Sequence, residues 1–64
     1  MVKVNGIFED VAGMTISAYL EQANYDLKRI VVEKNEDIVP KADYDIVTLS
    51  DDDIIEVISF VGGG

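Results

Sequence analysis

Residues 1–9, Met-Val-Lys-Val-Asn-Gly-Ile-Phe-Glu, carry the clearest secondary-structure signal in this 64-residue chain. Apolar and polar side chains alternate over residues 1–5, which is typical of a half-buried strand. Asn5-Gly6 is the strongest short signal for a hairpin turn, and residues 7–9 begin the returning strand. The chain is therefore predicted to open with an antiparallel hairpin.

A helix is predicted after the hairpin. Gly13 breaks the strand, and Thr15 is a residue type that favours the N-cap position. Ile16, Leu20 and Ala23 lie at i, i+4 and i+7, so they share one face of a helix. We expect this face to pack on the sheet.

Further β segments follow the helix. Residues 30–32 are β-branched and predict a buried strand, residues 38–39 predict a short strand, and residues 54–61 predict the longest strand. Pro40 ends the short strand and lacks the N–H that a central ladder requires, so that strand should lie at an edge. We expect an α+β fold of the β-grasp (ubiquitin-like) type, in the order ββαββ, with one helix across a mixed sheet that ends in a central strand.

Composition sets the domain organisation. A hydrophobic content of 48% and a single proline predict a folded chain despite the net charge of −8. The length suits one domain, which we place at residues 1–61, followed by a flexible glycine tail at residues 62–64.

Charge and residue usage exclude several classes of function. Thirteen acidic side chains against five basic ones would repel nucleic acid and favour a basic protein partner. The chain has no cysteine and no histidine, and no serine or tyrosine is paired with a second catalytic group. We therefore expect neither an enzyme nor a metal site. No apolar run reaches the roughly 20 residues of a membrane span, and we expect a cytoplasmic protein.

The acidic run Asp51-Asp52-Asp53 is predicted to be a solvated turn. Three consecutive carboxylates cannot converge on one ion as spaced loop ligands do.

The last predicted strand has two different faces. Ile55 and Val57 point to one side, and the polar Glu56 marks the other side as exposed to solvent. Grouped apolar residues on an exposed face often mark a contact site, so a partner interface is predicted at Ile54, Glu56, Ile58 and Phe60. The alternative is that a loop or the chain end covers Ile58 and Phe60 in an ordinary core.

The three C-terminal glycines are the most informative feature. Glycine costs backbone entropy and buries no side chain, so its use at the last three positions requires a reason. Gly62 and Gly63 could thread through a narrow channel and carry the Gly64 carboxylate to a reagent inside another protein. Adenylation would give this carboxylate a good leaving group, after which a sulfur or amine nucleophile could attack the carbonyl carbon. The alternative is a frayed end without a role.

Four stretches of the sequence resemble the ThiS-type sulfur carriers of thiamine biosynthesis, which are β-grasp proteins of this length ending in Gly-Gly. Together they cover most of the chain: residues 12–16 (Ala-Gly-Met-Thr-Ile), residues 32–41 with their Val-Pro-Lys step, residues 49–53 (Leu-Ser-Asp-Asp-Asp) and residues 55–64. Members of this family often have glycine where Glu36 and Asp52 stand here. Two turns must therefore be formed by residues that tolerate positive φ less well.

The resemblance implies a function for the glycine tail. Gly64 would be adenylated by an E1-like enzyme of the ThiF type, converted to a thiocarboxylate with sulfur from a donor protein, and used by a thiazole synthase of the ThiG type. The chain would hold no cofactor of its own, since the activating enzyme uses the ATP.

Other functions remain open at this point. The same fold could serve as a MoaD-type carrier for molybdopterin or as a ubiquitin-like modifier. A hypothesis of a different class is an acidic interaction module that binds its partner without covalent chemistry.

Overall fold

The Asn5-Gly6 turn closes the predicted hairpin. In the computed structural model, which describes residues 1–60, β1 (Val2–Val4) pairs antiparallel with β2 (Ile7–Glu9). Both turn residues have positive φ, 49° for Asn5 and 83° for Gly6, as a type I′ turn requires.

The helix α1 (Ile16–Gln22) begins at the predicted cap. The hydroxyl oxygen of Thr15 accepts a hydrogen bond from the Ala18 amide at 3.1 Å. Two more amides of the first turn, those of Ile16 and Ser17, donate to carbonyls in the long loop between residues 40 and 53. The loop therefore satisfies helix N–H groups that have no partner within the helix.

The buried face of α1 differs in one residue from the predicted face. Ile16 and Leu20 are each 1% exposed, as expected, but Ala23 is exposed. The helix has seven residues, so Ala23 is its C-cap and lies beyond the last packed turn. Tyr19, three residues after Ile16, is buried instead.

Three strands follow the helix: β3 (Ile30–Lys34), β4 (Asp37–Val39) and β5 (Ile54–Ser59). The sheet order is β2-β1-β5-β3-β4, with β1 and β5 parallel and the other neighbours antiparallel. The α+β fold with one helix on a mixed sheet is confirmed. The full order is ββαβββ. The predicted order ββαββ counts one strand too few, since all three segments predicted after the helix, including the short one at residues 38–39, form strands.

Two predicted positions in the sheet are confirmed. β5 lies at the centre, and β4, which ends before Pro40, lies at an edge. Residues 1–60 also contain two 3₁₀ turns, Leu27–Arg29 before β3 and Lys41–Asp43 after β4.

The core lies between α1, the long loop and one face of the sheet. Tyr44 and Leu49 of the loop are buried beside the helix. The sheet contributes Val2, Val4, Ile30, Val32, Val39, Ile55 and Val57. The opposite face of the sheet has no helix against it in the part of the chain described.

Glu36 and Asp52 have the positive φ expected of these positions, 74° and 71°. The turn between β3 and β4 and the turn before β5 are thus formed by residues for which this conformation carries a steric cost.

Candidate partner-binding site

β5 is the strand from which the chain end continues. It is paired with β3 over its length, from Lys34↔Ile55 to Ile30↔Ser59, and with β1 near its start. The Phe60 amide extends the pairing by donating to the Arg29 carbonyl at 2.7 Å. The direction of the chain is therefore held by the sheet as far as residue 60.

Two asparagines in hairpin turns hold β5 from opposite sides. The Asn5 side chain accepts from the Val57 amide at 2.9 Å and donates to the Val57 carbonyl at 3.3 Å. The Asn35 side chain accepts from the Ile54 amide at 2.9 Å, and the Asn35 backbone amide donates to the Ile54 carbonyl at 2.8 Å. Asn5 follows the end of β1 and Asn35 follows the end of β3. Each asparagine thus continues the hydrogen bonding to β5 beyond the end of its own strand.

Asp53 organises the start of β5. Its carboxylate accepts from the Ser50 amide at 2.8 Å and from the Asn35 side chain at 3.0 Å, and the Lys34 ammonium lies 3.6 Å away. Burial raises the pKa of this carboxyl, but the hydrogen bonds from Asn35 and Ser50 and the charge of Lys34 together outweigh burial. The pKa of Asp53 is therefore below its ordinary value.

The prediction of a solvated turn at residues 51–53 is wrong for its last residue. Asp51 and Asp52 are exposed, whereas Asp53 is buried. A buried carboxylate requires hydrogen-bond donors or a nearby positive charge. The Asn35 side chain donates to Asp53 and the Lys34 ammonium forms an ion pair with it, and a sequence pattern does not bring either position together with Asp53.

We call the side of the sheet away from α1 the open face. Residues opposite one another in the ladders share a face, which assigns Lys3, Phe8, Val31, Glu33, Ile38, Ile54, Glu56 and Ile58 to it. Phe60 follows in the same alternation.

The predicted face assignment of β5 is confirmed. Ile55 and Val57 are buried, whereas Ile54, Ile58 and Phe60 have 55%, 42% and 56% of their surface exposed. No loop within residues 1–60 covers Ile58 and Phe60, which excludes a covering loop from this part of the chain, while the chain end lies outside the described residues. Their role at a partner interface stays a prediction.

Five residues of the open face were not predicted: Lys3, Phe8, Val31, Glu33 and Ile38. Phe8 and Ile38 are both about two-thirds exposed, and Glu33 lies directly opposite Glu56. The alternation of β3 could have placed Glu33 on the face opposite to Val32, but its neighbour across the ladder depends on the register between β3 and β5. Short strands do not determine register from local sequence.

The predicted reactive and threading residues, Gly62, Gly63 and Gly64, lie outside the described residues, as does the predicted domain end at residue 61.

Residues 1–60 contain neither a metal-binding group of side chains nor a membrane-spanning helix. Their Asp and Glu side chains form no group of three or more that could hold a metal ion. No helix there has the length and apolar character that a bilayer crossing requires.

Sequence comparisons connect the chain to known proteins. The sequence model of the ThiS family matches residues 2–64. The chain is 42% identical over 50 residues to the sulfur carrier protein ThiS of Bacillus subtilis, covering 78% of this chain and 76% of that protein.

A second relative is a much longer protein. The chain is 42% identical over 53 residues to a thiazole synthase of Paramagnetospirillum magneticum, covering 83% of this chain. It spans 16% of the length of that synthase.

Structural comparison gives the same fold. The crystal structure of the thiamine biosynthesis protein ThiS from Geobacter metallireducens superposes with a TM-score of 0.78, covering 98% of this chain and 97% of that one at 24% identity. The two proteins thus share a fold. Family membership is shown by the match to the family model and by the identity with the Bacillus protein. The chain belongs to the ThiS family.

Proposed function

We propose that the chain is a sulfur carrier protein in thiamine biosynthesis, with the C-terminal carboxylate of Gly64 as its working group. The observation that carries this proposal is the family match, which runs to the last residue and therefore includes Gly62-Gly63-Gly64. The Bacillus relative is itself a sulfur carrier protein.

The chemistry requires no catalytic side chain from this chain. A carboxylate is a poor electrophile, so the partner enzyme first joins a Gly64 carboxylate oxygen to the α-phosphorus of ATP and releases pyrophosphate. A sulfur nucleophile from the donor protein then attacks the carbonyl carbon. The C–S bond forms as the C–O bond to AMP breaks, and AMP leaves with the electron pair. Because the donor supplies its sulfur as the outer atom of a persulfide, the carbonyl carbon is then joined to the donor through an S–S bond. A thiol attacks the donor's inner sulfur, the S–S bond breaks, the thiocarboxylate leaves with the electron pair, and the donor is left in a disulfide with that thiol.

The described residues support separate roles for the domain, which would bind the partner, and for the tail, which would carry the reacting carboxylate. Ile54, Glu56, Ile58 and Phe60 offer a partner an exposed surface at the strand that leads into the tail. A partner that binds this surface holds the domain in register while the glycines reach its active site, so the reacting carboxylate arrives already oriented.

The partners follow from this chemistry. An E1-like adenylating enzyme of the ThiF type binds the ATP, a sulfur donor protein supplies the sulfur, and a thiazole synthase of the ThiG type accepts it. The chain is a substrate of these proteins rather than an enzyme. Because the steps use ATP and a protein sulfur donor, we expect them to occur in the cytoplasm.

The longer relative supports the last of these partners. A thiazole synthase contains a segment 42% identical to this chain. Covalent joining gives two proteins a high effective concentration, which is advantageous when they act together.

Intact mass spectrometry tests the proposal. The chain is incubated with ATP, a sulfur donor and the ThiF-type enzyme from the same organism, and a variant lacking Gly64 serves as control. We expect one terminal oxygen to be replaced by sulfur in the full-length chain alone. An unchanged mass, with an enzyme shown to be active on another carrier, would refute the proposal.

The same control separates the proposal from a noncovalent interaction module. Removal of Gly64 should abolish sulfur transfer and leave binding of the domain to the enzyme nearly unchanged. If sulfur transfer to the synthase persisted without Gly64, the tail would not be the working group.

A further inference from the structure

Glu33 and Glu56 face each other at the centre of the open face. They are direct partners in the antiparallel ladder between β3 and β5. Such partners have β-carbons about 4.5–5.5 Å apart, and like charges at that separation destabilise a sheet. We therefore expect these like charges at facing positions to carry a cost in the free domain.

No cation of the described chain offsets this cost. The ion pairs within residues 1–60 use the N-terminal amine, Arg29 and Lys34, and each of these binds an aspartate. Lys3 is on the open face, but its ammonium lies 5.5 Å from the centre of the Phe8 ring. The Glu33 and Glu56 carboxylates thus have no positive partner among these residues.

The two carboxylates line a hollow with an apolar side. The hollow has a volume of about 240 Å³ and is lined by Glu33, Glu56, Asn35, Glu36 and Ile54. The Asn35 side-chain amide is already engaged with Asp53 and the Ile54 backbone. The groups left for a ligand are therefore carboxylates and the aliphatic surface of Ile54.

This combination matches one side chain in particular. A guanidinium is planar, always charged, carries five N–H donors and tolerates apolar contact on its faces, so it can bridge two carboxylates beside an isoleucine. A lysine ammonium is a compact, strongly hydrated charge, and lysine is depleted at interfaces where arginine is enriched.

We propose that Glu33 and Glu56 together receive an arginine side chain of the adenylating enzyme, with Ile54 and Ile58 packing against apolar residues around it. This inference rests on the proposed function for the identity of the partner. A second copy of this chain is a poorer occupant, because each copy carries a net charge of −8 and would bring the same carboxylates to the contact.

Binding of neutralised variants tests the proposal. The variants are Glu33→Gln, Glu56→Gln and the double variant. The control is Glu21→Gln, which makes the same charge change at an exposed position of α1. Each is titrated into the ThiF-type enzyme by isothermal calorimetry at low and moderate salt.

We expect each single substitution on the open face to raise Kd by about tenfold, the size of a lost charge-assisted hydrogen bond, and the control to change it little. The double variant should lose less than the product of the two single effects, because both carboxylates bind the same group. Equal Kd values for the wild type and the open-face variants, or strictly multiplicative losses, would overturn the proposal.

Thermal unfolding of the free proteins provides a second readout. Neutralising Glu33 or Glu56 should raise the unfolding midpoint more than Glu21→Gln does, since it removes repulsion between facing charges. A lower midpoint would contradict the expected repulsion and show that the two glutamates stabilise the fold.

The outcomes also separate this inference from the proposed function. If the Gln variants bind normally and still accept sulfur at Gly64, the sulfur-carrier function stands and the arginine contact is wrong. If analytical ultracentrifugation shows that the unmodified chain dimerises and the Gln variants dimerise more tightly, the open face binds a second copy and the proposal is also wrong.

Discussion

Replacing Asp53 with asparagine should destabilise the domain, although it removes one negative charge from a chain with eight in excess. The amide oxygen of the new side chain could still accept from the Ser50 amide, but its NH₂ group would face the NH₂ group of Asn35, and the ion pair with Lys34 would be lost. A hydrogen bond to a charged group contributes about 1.5–3 kcal/mol, so we expect a loss of about 1–3 kcal/mol. A chain of this length has a total stability of about 3–10 kcal/mol, so the loss is easily measured.

Urea unfolding at neutral pH measures this loss, and Asp45→Asn is the matched control. Asp45 is exposed and forms no side-chain hydrogen bond or ion pair within residues 1–60, so its neutralisation should leave stability unchanged or slightly raised. Equal effects of the two substitutions would refute the assignment of Asp53 as an anchor of β5.

The pH dependence gives an independent check. The pKa of Asp53 is lower in the folded chain than in the unfolded chain, where it is about 3.9. The stabilisation by ionised Asp53 is therefore fully present above pH about 4 and is lost as the pH falls through the folded value. The gap in unfolding free energy between the wild type and Asp53→Asn should shrink below pH about 4. A gap that stays constant as the pH falls to about 2 would show that the charge of Asp53 is not its source.

Three further predictions concern the core, the open face and the turns. Leu20→Ala should cost about 2–5 kcal/mol in urea unfolding because Leu20 is 1% exposed, and a loss under about 1 kcal/mol would contradict the assigned helix face. Ile58→Asp or Phe60→Asp should weaken binding to the ThiF-type enzyme in calorimetry without unfolding the domain, whereas loss of the native circular dichroism spectrum would show that these residues support the core. Glu36→Gly and Asp52→Gly should each stabilise the domain by about 0.5–1 kcal/mol in thermal unfolding because both positions have positive φ, and destabilisation would show that their side chains contribute more than the strain costs.

The hairpin, the helix start and the two faces of β5 were predictable because each depends on local chemistry. Asn5-Gly6 specifies a turn type, Thr15 supplies a cap, and strand alternation separates Ile55 from Glu56. The end of the helix was less predictable, because a spacing of i+7 includes Ala23 whether or not the helix extends that far.

What the sequence did not predict depends on pairing between distant segments. The opposition of Glu33 and Glu56 requires the register of β3 against β5, and the burial of Asp53 requires the turn at Asn35 to lie beside it. Such contacts join residues that are 18 or more positions apart, and the local pattern around each residue is compatible with simple exposure to solvent. Contacts between segments that lie far apart in the chain are therefore the part of the site that a single sequence does not predict.

The central position of β5 has a mechanical consequence. A partner that draws on the chain end pulls along the axis of β5, whose hydrogen bonds to β3, β1 and the Asn5 and Asn35 side chains lie across that axis. A load in this direction shears these bonds together rather than opening them one after another from an edge. The domain should therefore remain folded under tension applied through its C-terminal end, and a force applied through the edge strand β4 should unfold it more readily.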